Sequence, residues 1–98
     1  MRSYKQAPDA HVYYDVDWAD WLTARSLDEN DIESVTWTAS GDLEITDTIL
    51  QTTLSRVYVR GTTVGKKYLV TSHITVLNHD GGDSLHDDYS FEVVGAVT

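Results

Sequence analysis

Arg56-Val57-Tyr58-Val59-Arg60-Gly61-Thr62-Thr63-Val64-Gly65-Lys66-Lys67-Tyr68-Leu69-Val70-Thr71-Ser72-His73-Ile74-Thr75-Val76-Leu77 decides the fold class of this chain. The stretch reads as two strands joined by a turn that carries Gly61 and Gly65. In the second strand Tyr68, Val70, Ser72, Ile74 and Val76 share one face, and Leu69, Thr71, His73, Thr75 and Leu77 share the other. A strand turns successive side chains to opposite faces, so its pattern repeats every two residues. A helix would gather apolar residues three and four apart, and this stretch does not. Val57 and Val59 alternate in the same way over residues 54–60. The chain is therefore expected to be all-β.

Working outward, residues 11–17 alternate with Val12, Tyr14 and Val16 on one side, a further strand. Asp17, Trp18, Trp21 and Leu22 then have the spacing of one short helical turn over residues 17–22, with Asp17 as N-cap and the apolar residues on one face. Residues 23–30 are a polar connection. Ser26 and Glu29 have the spacing of a capping box, but no amphipathic helix follows. Residues 32–37 form the next strand, and its broken period predicts a bulge. Ser40-Gly41-Asp42 is a turn, and Leu43 and Ile45 open a short strand beyond it. His79-Asp80-Gly81-Gly82-Asp83 reads as a hairpin turn, because glycine supplies the positive φ that hairpins need. Residues 87–94 are the last strand, with Tyr89, Phe91 and Val93 inward. Six or seven short antiparallel strands separated by turn signals are the pattern of a β-sandwich. The expected organisation is a flexible N-terminal arm at 1–8, one sandwich domain at 9–95 and a tail at 96–98.

Ninety-eight residues suit a single domain, and 41% hydrophobic content with one proline argues for a packed one. With no cysteine, disulfides and thiolate metal sites are excluded. No apolar run is long enough to span a bilayer, and Met1-Arg2-Ser3-Tyr4-Lys5-Gln6 lacks a signal-peptide core, so synthesis in the cytoplasm without export is expected. The formal charge is −9, which argues against nucleic acid as a partner, because phosphate contacts need a basic face. The charge is unevenly placed. Residues 9–33 hold Asp9, Asp15, Asp17, Asp20, Asp28, Glu29, Asp31 and Glu33 against Arg25 alone. Residues 48–79 hold no carboxylate, but carry Arg56, Arg60, Lys66 and Lys67. Such asymmetry steers unlike surfaces together, so these four basic residues are candidate protein-docking residues.

The chain carries no motif for a catalytic site: no His-Glu-x-x-His pair, no catalytic cysteine and no Gly-x-Ser-x-Gly elbow. It is not expected to be an enzyme or to hold a cofactor. Asp80, Asp83 and Asp87 lie on a glycine-bearing loop at a spacing that can wrap a hard cation, although Asp and Gly are also ordinary turn formers. Trp18, Trp21 and Trp37 could form a sugar-stacking platform, which makes a carbohydrate-binding or adhesin-like module the alternative function. The plainer role for these rings is core packing.

An ordered set of residues carries a further indication. Asp17-Trp18-x-x-Trp21-Leu22 is followed by Asn30-Asp31-Ile32, by Ser34 with Val35-Thr36-Trp37, by Val57-Tyr58-Val59-x-Gly61, by Gly65-x-x-Tyr68-x-Val70-x-x-x-Ile74, and by Phe91-x-Val93. This set, spanning roughly residues 12–94, resembles a family of small virion proteins of tailed bacteriophages and prophages, the fibre–tail adaptor type. The resemblance implies an immunoglobulin-like β-sandwich and a non-enzymatic structural role in the tail or neck of the virion, joining components such as fibres to the tail. It implies other tail, neck or fibre proteins as partners, with no nucleic acid or membrane bound, and a symmetric homo-oligomer. The protein would be made in the cytoplasm of the bacterial host. This chain departs from the family at Gly61-Thr62, where a Gly-Gly pair is usual, and in the longer, acidic closing loop around Asp83.

Overall fold

Alternation across the central stretch produces β6 (Lys67–Val76), with Tyr68, Val70, Ser72, Ile74 and Val76 all buried. The computed structural model describes residues 2–77 and 85–96. Around β6 lie β1 (Ser3–Gln6), β2 (His11–Asp17), β3 (Ile32–Ala39), β4 (Glu44–Gln51), β5 (Leu54–Arg60) and β7 (Leu85–Gly95), with one helix, α1 (Ala19–Ala24), after β2. The strands make two sheets, ordered β1-β7-β6-β3 and β2-β5-β4. The 79–83 turn lies outside the described residues.

The two inner faces meet in one apolar layer. Val57 and Val59 of β5 face Val70, Ile74 and Val76 of β6 and Phe91 and Val93 of β7, all almost fully buried. Each such side chain contributes about 1.5–3 kcal/mol when taken out of water. Polar groups also enter this layer, and each finds a partner. The Trp37 indole N–H on β3 donates to Ser55 Oγ on β5 at 2.6 Å, and the Trp18 indole N–H donates to Ser72 Oγ on β6 at 3.3 Å. The first bond runs from one sheet to the other, and the second ties the N-cap of α1 to the larger sheet. Among the described residues no buried side-chain polar atom lacks a partner.

The strands are not all antiparallel as expected. β1 pairs in parallel with β7, with Ser3 opposite Glu92 and Gln6 opposite Gly95. The first eight residues, expected as a flexible arm, therefore contain a strand. Tyr4 packs edge-on against Phe91 at 5.4 Å and lies 5.0 Å from Tyr14. Gln6 is 3% exposed, accepts from the Tyr14 hydroxyl at 2.9 Å, and through its carbonyl accepts from Thr62 Oγ1. Burial beside Tyr4 pushes the Tyr14 phenol up to about 12. At the other terminus β7 runs through Gly95, and the Ala96 N–H donates to the Gln6 carbonyl.

Local expectations fared differently according to their physical basis. The bulge in β3 is present, between Ile32 and Ser34. The helical turn begins later, at Ala19, although the Asp17 carboxylate does accept from the Ala19 N–H at 2.9 Å. Ser26 and Glu29 form no capping box, but Asp28 and Asp31 do, closing the short 3-10 turn Glu29–Asp31. Tyr89 is 42% exposed although its position faces inward, because it opens onto a cleft beside β2 and α1. Gly41 adopts φ +65°, and a Cβ there would lie 3.2 Å from the Tyr68 ring. At the β4–β5 hairpin Thr52 takes φ +59°, strained for a β-branched residue. Thr53 beside it is held by Asp17 Oδ1 and by the Trp18 N–H.

Two outcomes test this packing. Ser55→Ala orphans the buried Trp37 N–H and should lower stability by about 1–3 kcal/mol. In urea unfolding, Ser55→Ala combined with Trp37→Phe should cost less than the sum of the single changes, and strict additivity would mean the bond does not couple the sheets. Gly95→Ala would place a Cβ 1.9 Å from the Thr63 carbonyl oxygen. Since backbone must move, a loss of about 2–4 kcal/mol is expected, and a wild-type midpoint would show that this contact is not tight.

Candidate functional site

The four basic docking candidates divide between two places. Arg56 and Arg60 project from the outer face of β5, each opposite a carboxylate on a neighbouring strand. Arg56 donates from Nε and Nη2 to both oxygens of Asp15, at 2.7 and 3.0 Å, and its guanidinium lies 4.0 Å over the Tyr13 ring. The Asp15 carboxylate holds this guanidinium further above its ordinary range. Arg60 donates to Glu44 at 3.0 Å on the exposed surface. Exposed pairs of this kind contribute little to stability, but they neutralise the charge that the sequence appeared to offer.

Lys66 and Lys67 stand elsewhere, at the entry to β6 and on the larger sheet's side of the molecule. Both are exposed, and neither forms an ion pair with a described residue. The turn that carries them is fixed from within: the Tyr68 hydroxyl accepts from the Thr63 N–H at 2.8 Å, and Thr63 Oγ1 donates to Asp42 at 3.2 Å. Hydrogen bonding from Tyr68, then from Thr63, holds the Asp42 carboxyl below its ordinary range, and Lys66 adds a smaller Coulombic pull.

The tryptophans are committed to packing. Trp18 is 4% exposed and Trp37 is 9% exposed, so neither offers a ring face to a sugar. Trp21 is half-buried; it meets Trp18 edge-on at 5.6 Å, and the Arg25 guanidinium stands 4.1 Å over its ring. Of the candidate cation ligands, Asp80 and Asp83 lie outside the described residues. Asp87 accepts from the Trp21 indole N–H at 2.8 Å and from the Asp88 N–H at 2.8 Å. Among the described residues no three potential ligands converge.

Sequence reasoning missed a cleft of roughly 550 Å³ at the side of the sandwich, between the free edge of β2, helix α1 and the first half of β7. Trp18, Trp21, Tyr89 and Phe91 supply its aromatic wall. Carboxylates from β2, α1 and β7 surround it, and Arg2 is the one basic residue among those lining it. The only early sign of the cleft was the Asp17-Trp18-x-x-Trp21 spacing, because its other half comes from residues about seventy positions away.

The hydrogen bond from the Asp88 backbone, then that from Trp21, holds the Asp87 carboxyl below its ordinary range. The sign follows: a depressed folded-state value stabilises the protein above the ordinary carboxylate value, and this is lost as pH falls through the depressed one. The Trp21 indole proton signal should therefore shift below about pH 4. Asp87→Asn should remove most of that acid-dependent shift, and an unchanged titration would assign it to another group.

The family described as "Podophage GP4 fiber-tail adaptor protein gp77" matches residues 6–91, nearly the whole chain. No curated protein and no solved structure matches it. The match takes in the tryptophan-bearing segment, the turn with Lys66 and Lys67, and both sides of the cleft. The chain belongs to the podophage fiber-tail adaptor family, as a non-enzymatic structural component of the phage tail.

Proposed function

We propose that this adaptor works as an immunoglobulin-like sandwich whose basic end meets the acidic end of the next copy, building a symmetric homo-oligomer that joins fibres to the tail. Support for the immunoglobulin-like topology comes from strand order. With strands lettered A to G in chain order, the sheets are A-G-F-C and B-E-D. The constant-type immunoglobulin arrangement is ABED with CFG, so the two differ only in where the first strand lies. Trp37 stands on strand C, where immunoglobulin domains place a buried tryptophan. Tyr68 lies near the start of strand F with its hydroxyl on the Thr63 N–H upstream, the arrangement of a tyrosine corner.

The end-to-end contact is supported by where the charges lie. β2 runs from His11, opposite Arg60, to Asp17, opposite Leu54. Ile32 pairs with Val76 at the end of β6, whereas Lys67 pairs with Val94 at its start. The turn with Lys66 and Lys67 is thus at one end, and α1 with the 3-10 turn is at the other. Asp20 and Glu29 are exposed at that far end. Like-handed end-to-end contacts close a ring when the rotation permits, and many weak contacts in a ring give avidity. The observation that carries this reading is that Lys66 and Lys67 remain unpaired among the described residues while Arg56 and Arg60 do not.

Lys66→Glu with Lys67→Glu should weaken self-association several-fold, about 1 kcal/mol per contact, in sedimentation at low salt. Adding Asp20→Lys and Glu29→Lys should restore part of it. Wild-type oligomerisation and virion incorporation by the double glutamate variant would sink the contact.

A further inference from the structure

Among the described residues the edge of β7 is only half used. β1 covers Glu92–Gly95, and the Glu92 N–H donates to the Arg2 carbonyl. In an antiparallel ladder, alternate residues turn both backbone groups towards one neighbour. Gly95 donates towards β6, whereas Glu92 and Ala96 donate towards β1. By the same alternation His86, Asp88 and Ser90 present their N–H and C=O groups to the β1 side. Nothing among the described residues pairs with the N–H groups of His86 and Ser90; that of Asp88 is covered by the Asp87 carboxylate. Residues 85–89 are all exposed.

We infer that this free half-edge of β7 takes an added strand from another virion protein, an extended segment with cationic side chains on its inward face. β4 has its edge in open solvent, whereas β7 and the free edge of β2 both open onto the aromatic cleft, β7 through Asp87, Tyr89 and Phe91. A strand laid there continues the line of β1 and gains backbone hydrogen bonds over Leu85–Phe91, about 20 Å of edge. Its alternate side chains point into the cleft. Asp20 and Asp87 then face those side chains, whereas Asp88 is turned to the outer face beside His73, so lysine or arginine is favoured and glutamate is repelled. Arginine stacking on this protein's own aromatic rings, Arg25 on Trp21 and Arg56 on Tyr13, shows that such rings accept cations. The inference rests on the adaptor role but not on the end-to-end contact between copies.

A short peptide alternating lysine and valine, about eight residues long, is the probe, with a glutamate–valine peptide as its counterpart. Amide exchange measured by NMR on the whole chain should slow at His86 and Ser90 with the lysine peptide alone. Binding should weaken several-fold between about 50 and 500 mM salt. Ser90→Pro, which removes one edge-facing donor and no donor to β6, should abolish the protection. Asp20→Lys with Asp87→Asn leaves the backbone donors in place and should weaken binding about tenfold or more. Absence of protection at millimolar peptide would overturn the inference, as would equal protection by the glutamate peptide. Protection that rises with protein concentration alone would make a second copy the occupant and overturn it equally. If the Lys66/Lys67 variant assembles normally, the end-to-end contact fails while the peptide result stands unaffected.

Discussion

One buried tryptophan ties the two sheets together, and a second ties the chain beyond β2 to the larger sheet. An apolar interface has no preferred direction, so valines and isoleucines alone would let two sheets slide over one another. A buried indole N–H cannot be left without an acceptor, and a hydrogen bond has a fixed length and angle. Trp37 on Ser55 therefore sets the offset of the two sheets, and Trp18 on Ser72 sets where the chain beyond β2 meets the larger one. They also explain why serines stand at the centre of inward faces otherwise made of Val57, Val59, Val70 and Ile74. The consequences reach the surface. Trp18 fixes the start of α1, α1 brings Trp21 against Asp87, and those contacts form one wall of the lateral cleft.

What could be read from sequence was what depends on neighbours in sequence. β2 and β5 begin and end where alternation begins and ends, and the β3 bulge shows in a broken period. Where burial depends on a distant partner, periodicity was silent or misleading. Ser3-Tyr4-Lys5-Gln6 has no apolar alternation, and Gln6 is buried with its polar groups satisfied by donation to the Ala10 carbonyl and by acceptance from Tyr14 and Thr62. Tyr89 occupies an inward position that opens onto the cleft. The cleft was illegible for the same reason: its walls come from both termini and from α1, and no short motif spans them.

The basic stretch shows how a linear charge pattern is redistributed by strand pairing. Residues 56–67 look like one cationic segment in sequence. Pairing sets Arg56 beside Asp15 and Arg60 beside Glu44, so the outer face of the smaller sheet carries compensated charge. Such cross-strand pairs specify register more than they add stability, since a one-residue slip would part each arginine from its carboxylate. Lys66 and Lys67, in contrast, form no ion pair with a described residue.

The parallel pairing of β1 with β7 also bears on when the protein can become itself. Ser3 and Glu92 are 89 positions apart, and the larger sheet has no first strand until that distance is closed. During synthesis the opening residues emerge first and must remain unmatched until the closing strand follows them from the ribosome. Closing so long a loop slows folding, and an unmatched strand is free to meet other chains meanwhile. The larger sheet is therefore completed by the pairing that lies farthest apart in sequence.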